Sequence, residues 1–381
     1  VTRWLDALDR KAGLRARAGL TRRLRPRGAS GEVTDLAGND YLGLSRHPRV
    51  IEAATAALRR YGAGATGSRL VRGSTELHAA LETALADWLG AESALVYSSG
   101  YLANLGAVRA LTQPSTTLIT DAHNHASLVD GVRLTGHTPV VTPHNDLSGV
   151  RSALATPPAV VITESVFSVD GDLAPLAALH ELVSSHEALL LVDDAHALGV
   201  LGPSGAGGVA SARLSGAPDV VVTATLSKAL GAAGGVIAGP AALIRHLVDT
   251  GRTFIYDTAL PPATAAAALA ALDLARSDDG ARAELASRAA LAHARLTAAG
   301  LSAAPPAAGV VSVTAPGPTE AVAWAAACLD AGVAVGCFRP PTTPDPRSRL
   351  RLTINVGVPR PDFERALDVI VKTAPHPAVT S

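Results

Sequence analysis

Six short apolar runs, at residues 94–97, 117–120, 139–142, 160–163, 189–192 and 220–223, constrain the fold more than any other feature of this chain. Each is rich in Val, Ile or Leu and lacks the polar alternation of a half-exposed strand. Helix-like stretches at 102–111, 150–155 and 174–185 separate several of them. Strands that are apolar on both faces belong to a parallel sheet covered by helices on either side, so the rhythm predicts an α/β domain. Helices are also expected at 50–61 and 75–89, the second with Leu77, Leu81, Leu85 and Leu89 on one stripe.

Past Pro261 and Pro262 the pattern changes. Alanine-rich helices at about 263–276 and 281–299 precede strands near 310–314, 334–338 and 350–354, with helices at 320–329 and 362–372. This predicts a smaller α+β domain. The expected organisation is an N-terminal arm over 1–38, a large domain over 39–273 and a small C-terminal domain over 274–381. An amphipathic helix at about 4–20 opens the arm, followed by a basic turn.

Composition narrows the function classes. With 33 basic and 33 acidic residues, bulk charge gives no reason to expect a nucleic-acid or membrane partner. The basic cluster from Arg15 to Arg27 reads as a solvated arm. No run qualifies as a membrane span, and no secretory signal is visible, so a cytoplasmic protein is expected. Cys328 and Cys337 make no disulfide framework, and His123 with His125 lacks further partners at zinc spacing, so no metal is expected. Gly62, Gly64 and Gly67 spell GxGxxG, but they follow a helix where a dinucleotide fingerprint requires a strand.

The chemistry concentrates between Glu164 and Lys228. Asp193 and His196 end one apolar run, where an open α/β sheet presents ligands, and Lys228 follows another. A lysine there also reads as an ordinary loop residue. A pyridoxal phosphate site needs an amine, a carboxylate for the ring nitrogen, donors for the phosphate and a flat group against the ring. Lys228, Asp193, the turn at Gly100 and Tyr101, and the histidines supply all four.

The segments NDYLGL (39–44), SSGYLAN (98–104), HAS (125–127), TESVFSVDGD (163–172), DDAH (193–196), SKALG (227–231) and RPPT (339–342) stand in the order found in the α-oxoamine synthases. The chain resembles that family over residues 4–372. The resemblance implies a fold-type I pyridoxal-phosphate transferase, with a mostly parallel central sheet in its large domain. It implies Lys228 as the amine that holds the cofactor and serves as base, and Asp193 as the partner of the pyridine nitrogen. His125 would stack on the ring, His196 would bond the ring hydroxyl oxygen, and Ser168 would join the same set. Gly100, Tyr101 and Thr225 would serve the phosphate. Arg351 would clamp the amino-acid carboxylate, with Arg349 sharing its strand face as the competing choice. Asn39 and Glu164 match positions near the reacting acyl group, and Arg22 and Thr342 match substrate positions of the biotin-pathway members.

Residues 256–258 resemble a segment that reaches the phosphate of a neighbouring subunit, which implies a homodimer with shared sites. Thr258 is the expected contact there, because an acid such as Asp257 beside a phosphate is repulsive. The implied reaction joins L-alanine to pimeloyl-CoA, or to a pimeloyl-acyl carrier protein, with loss of CO2. A glycine C-acetyltransferase is the alternative within the family. A non-catalytic pyridoxal-phosphate module is the alternative outside it, although the short arm has no room for the DNA-binding segment such modules carry.

Overall fold

The structure, a computed structural model, describes residues 2–29, 33–340, 342–343 and 345–375. Eleven strands occur among them: β1 (Thr34–Leu36), β2 (Ser93–Tyr97), β3 (Thr117–Asp121), β4 (Val140–Thr142), β5 (Ala159–Glu164), β6 (Leu189–Asp193), β7 (Val220–Thr225), β8 (Gly235–Gly239), β9 (Val310–Ala315), β10 (Val333–Phe338) and β11 (Ser348–Thr353). Seven form one sheet in the order β2-β8-β7-β6-β5-β3-β4. The pairs from β7 to β4 are all parallel, and β8 alone runs against its two neighbours.

All six apolar runs of the sequence coincide with strands of this sheet, the run at 139–142 starting one residue early. Their continuous hydrophobicity has the expected cause, since every residue of β5 and of β7 is buried. Alternate side chains serve two layers. Val161, Leu190, Val192, Val220 and Val222 pack into one apolar core, while Val160, Ile162, Leu191 and Val221 pack into the other. On the first face the helix Glu76–Leu89 buries Leu81, Leu85 and Leu89 of the expected stripe, together with Trp88.

The remaining strands form a second sheet, ordered β1-β10-β11-β9. β1 comes from the segment expected to be pure arm. It pairs in parallel with β10, Leu36 opposite Val335, so the end of the arm is an edge strand of the smaller sheet. Its three residues, Thr-Asp-Leu, include a single apolar one and gave it no visible period. The arm's own helix, Thr2–Arg17, buries none of its residues.

Three further elements escaped the periodicity. β8 is bounded by glycines at both ends. The helix Ala241–Thr250 follows it directly. The helix Ala126–Thr135 buries Ser127 and Gly131 as well as Leu128 and Val132, and Gly131 lets Val108 approach so closely that a Cβ there would sit 3.1 Å from it. A helix packed through small and polar residues leaves a weak hydrophobic signature. No helix among the described residues is long and apolar enough to cross a membrane.

Candidate active site

Because β5, β6 and β7 are parallel, their C-terminal ends lie side by side: Glu164 pairs with Asp193, and Asp193 with Thr223. Lys228 stands three residues beyond the end of β7, in a turn fixed by backbone bonds from Leu226 to Gly234, Ala232 to Leu226 and Gly231 to Lys228. Buried Leu226 anchors that turn in the core.

Asp193 is oriented from two sides. The Ala195 amide donates to one oxygen at 3.0 Å, and the Asn104 amide group donates to the other at 2.7 Å. Asn104 also donates to Ser127 and accepts from Thr223, so it is itself fully engaged. Asp194 faces the other way, as strand alternation requires, and accepts from the Ser165 hydroxyl and the Gly208 amide.

Electrostatics tie the other groups to this edge. Burial pulls the Lys228 amine down to about 8, against the carboxylates of Asp193 and Glu164, which favour its charged form; Arg351 lowers it further. Burial, followed by the Asp193 charge, holds Glu164 well above the ordinary carboxyl range, and its Oε1 has no hydrogen-bond partner. His196 is kept neutral by burial and then by the charges of Lys228 and Arg351. Its Nδ1 lies 2.5 Å from the Tyr41 hydroxyl, a phenol that burial holds protonated. When that O–H donates to Nδ1, the ring's own proton sits on Nε2 as a free donor.

His125 caps the helix Ala126–Thr135 by accepting from the Ser127 amide, and its Nδ1 also meets the Ser127 hydroxyl at 2.7 Å. The ring remains exposed. Its pKa is lowered by desolvation, with Asp193 opposing and Lys228 adding.

The two arginines of β11 part company here. Arg349 is saturated by carboxylates, with Asp170 at 2.6 Å and Asp345 at 2.7 Å. Arg351 is 6% exposed and touches only neutral acceptors, the Ser168 carbonyl at 2.8 Å and the Asn39 side chain at 3.0 Å. Its guanidinium lies 4.4 Å from the centre of the Phe338 ring, and its Nε has no partner. Among the described residues no carboxylate pairs with it. A buried cation without a counter-charge is costly, and an anionic ligand would relieve that cost.

A second group is suited to an anion. Ser99 caps the helix Gly100–Leu111 by accepting from the Leu102 amide, which leaves the first two amides, of Gly100 and Tyr101, without intrahelical acceptors. A Cβ on Gly100 would stand 2.9 Å from that of Thr225, so only glycine lets the end of β7 approach this turn. The Thr225 hydroxyl is 2.8 Å from that of Ser227.

Arg22 and Thr342 come together, guanidinium to hydroxyl at 2.8 Å. Arg339, next to Phe338, draws the arm in by donating to the Gly19 and Thr21 carbonyls. Pro341 of the same loop lies outside the described residues. Thr258 does not join the phosphate group of its own chain: it is exposed and forms a lone bridge with Ser68. Its neighbour Asp257 accepts from Ser98, beside that turn.

Three contributors carried no assigned role in the sequence: Asn104, Tyr41 and Phe338. The first two lie inside the motifs at 98–104 and 39–44. A polar Asn104 in the apolar stretch 102–111 was the available signal.

Comparison with known proteins follows the same lines. Residues 31–370 match the family model described as aminotransferase class I and II. The 8-amino-7-oxononanoate synthase of Mycolicibacterium vanbaalenii is 54% identical over 373 residues, covering 97% of this chain and 96% of that one. A solved serine palmitoyltransferase from S. paucimobilis, with bound pyridoxal phosphate and myriocin, gives a TM-score of 0.90 at 28% identity and covers 98% of both chains. The 8-amino-7-oxononanoate synthase structure from Francisella tularensis gives 0.78 at 27% identity, covering 89% of this chain and 97% of that one.

Proposed function

We infer the reaction from one premise: the chain belongs to the aminotransferase class I and II family and, within it, to the 8-amino-7-oxononanoate synthases. Its cofactor is pyridoxal 5'-phosphate, and it joins L-alanine to pimeloyl-CoA, releasing coenzyme A and CO2 and forming 8-amino-7-oxononanoate for biotin synthesis. The donor set fits the cofactor: a pKa-lowered amine, an oriented carboxylate, a histidine with an open ring, and a helix end with free amides behind a glycine that no larger residue can replace. When bound, the cofactor supplies an electron sink for the amino acid's α-carbon.

The residues divide the remaining work. Lys228 holds the cofactor and, once free, moves the proton at the α-carbon; an amine titrating near 8 is a competent base at neutral pH. Asp193, fixed by Asn104 and Ala195, keeps the proton on the pyridine nitrogen. His125 would cover the ring face, and the Nε2 donor of His196 would serve the ring hydroxyl oxygen, with Ser168 in the same set. Gly100, Tyr101 and Thr225 take the phosphate, in the manner of helix N-termini. Arg351 binds the alanine carboxylate, and its burial without a counter-charge is the observation that carries this reading. Asn39 and Glu164 border the acyl group, while Arg22 and Thr342 sit where the acyl chain enters.

We assign a homodimer in which Thr258 of one protomer serves the phosphate of its partner. The exposure of Thr258 and of Tyr256, at 72%, supports it. Water-soluble substrates make the cytoplasm the proposed compartment. Steady-state assays with alanine or glycine against pimeloyl- and acetyl-CoA test the substrate claim. Alanine with pimeloyl-CoA should give the highest kcat/KM; a clear preference for glycine with acetyl-CoA would contradict it.

A further inference from the structure

Two loops at this edge of the sheet meet on an imidazole outside the group just described. His144, two residues past the end of β4, has its Nδ1 3.0 Å from Asp121 Oδ1 and its Nε2 2.8 Å from Asp172 Oδ2. Ionised carboxylates only accept hydrogen bonds, so a ring held by one at each nitrogen donates from both and is an imidazolium. His123 stacks on it with ring centroids 4.0 Å apart, and Phe167 meets it at 83° with centroids 4.4 Å apart.

Asp121 ends β3 at the start of the turn that carries His125, and Asp172 belongs to the loop that carries Ser168. Asp121 also accepts from the His123 and Asn145 amides at 2.7 and 2.8 Å, which shapes the turn leading to His125. Asp172 closes a loop tied by bonds between Phe167 and Asp172 and between Gly171 and Phe167. In that loop Asp170 holds Arg349, and the Ser168 carbonyl accepts from Arg351. His144 therefore stands between the turn bearing His125 and the loop that steers Arg351.

We propose that the His144 imidazolium is a positioning residue for the amino-acid substrate, bracing these two loops so that Arg351 presents its guanidinium to the substrate carboxylate. The proposal rests on the reading of Arg351 as that clamp. Its test is a double-mutant cycle on the dissociation constant of L-alanine, measured by titrating the absorbance of the cofactor-loaded enzyme, with cofactor content recorded for each protein. H144N should weaken alanine about tenfold, R351Q should weaken it at least as much, and the double variant should bind no worse than R351Q, because contacting or coupled residues are non-additive. The KM for pimeloyl-CoA should stay unchanged in H144N. Wild-type alanine affinity in H144N, with R351Q impaired, would overturn the role of His144 alone. Losses that multiply in the double variant would do the same. Wild-type affinity in R351Q would overturn the Arg351 reading and the proposal with it. Should H144N fail to fold, D172N, which removes one carboxylate and leaves the Asp121 bond, enters the same cycle with the same expectations.

Discussion

Arg349 and Arg351 sit two residues apart on β11, both buried, yet they should fail differently when changed. Arg349 neutralises Asp170 and shares Asp345 with Arg347, so Arg349→Gln leaves Asp170 uncompensated and should cost about 3 kcal/mol of stability. Arg351→Gln should raise the KM for alanine while leaving the melting temperature near or above that of wild type, since it removes an unpaired buried charge. Thermal melts and steady-state kinetics on the two variants separate the roles; a reversed pattern would mean the clamp is Arg349. Strand alternation put both arginines on one face and could go no further. The partners that distinguish them come from residues 170 and 345, which the sequence does not show to be neighbours. Lys228 makes its own prediction. With the amine at about 8, roughly a tenth is neutral at pH 7, and only the neutral form attacks an aldehyde. The rate at which cofactor-free protein captures pyridoxal phosphate should therefore climb between pH 7 and 8 and level off above about 9. A rate still rising steeply at pH 10 would show an ordinary lysine.

At the scale of elements, the six apolar strands were legible because burial on both faces leaves a plain hydrophobic record. The helix beginning at Ala126 was not, because it packs through Ser127 and Gly131, and so the capping role of His125 left no trace in the periodicity. Gly100 opens a helix for a reason that a sequence pattern cannot express, the approach of Thr225 across the sheet edge. Gly100→Ala should weaken cofactor affinity at equilibrium, by forcing the helix end away from Thr225, and leave the far-UV spectrum unchanged; unaltered affinity would remove the phosphate from this turn. The His144 brace has a pH signature. The groups facing it are Asp121, Asp172 and stacked His123, with Asp170 beyond. Burial alone would lower its pKa, but hydrogen bonds to Asp121 and Asp172 outweigh that and raise it to about 9. A raised pKa stabilises the fold fully below the unfolded value of about 6.5 and loses that stabilisation as pH climbs through about 9. The melting-temperature gap between wild type and H144N should accordingly be largest near pH 6 and shrink towards pH 10. A gap independent of pH would show that charge plays no part.

For the molecule as a whole, the division between a mostly parallel sheet and a smaller mixed sheet was readable from the change of pattern after Pro261, whereas the entry of residues 34–36 into the second sheet was not. A three-residue edge strand takes its identity from β10, its partner across the sheet. The proposed homodimer makes its own prediction: the protein should sediment as twice 38.5 kDa, and a monomer with full activity would refute shared sites. The proposed reaction depends on a covalent link between Lys228 and the cofactor. Borohydride reduction of the cofactor-loaded protein, followed by peptide mapping, tests it directly. One pyridoxyl group per chain on the peptide containing Lys228 is the predicted result; a label on another lysine, or none, would contradict it.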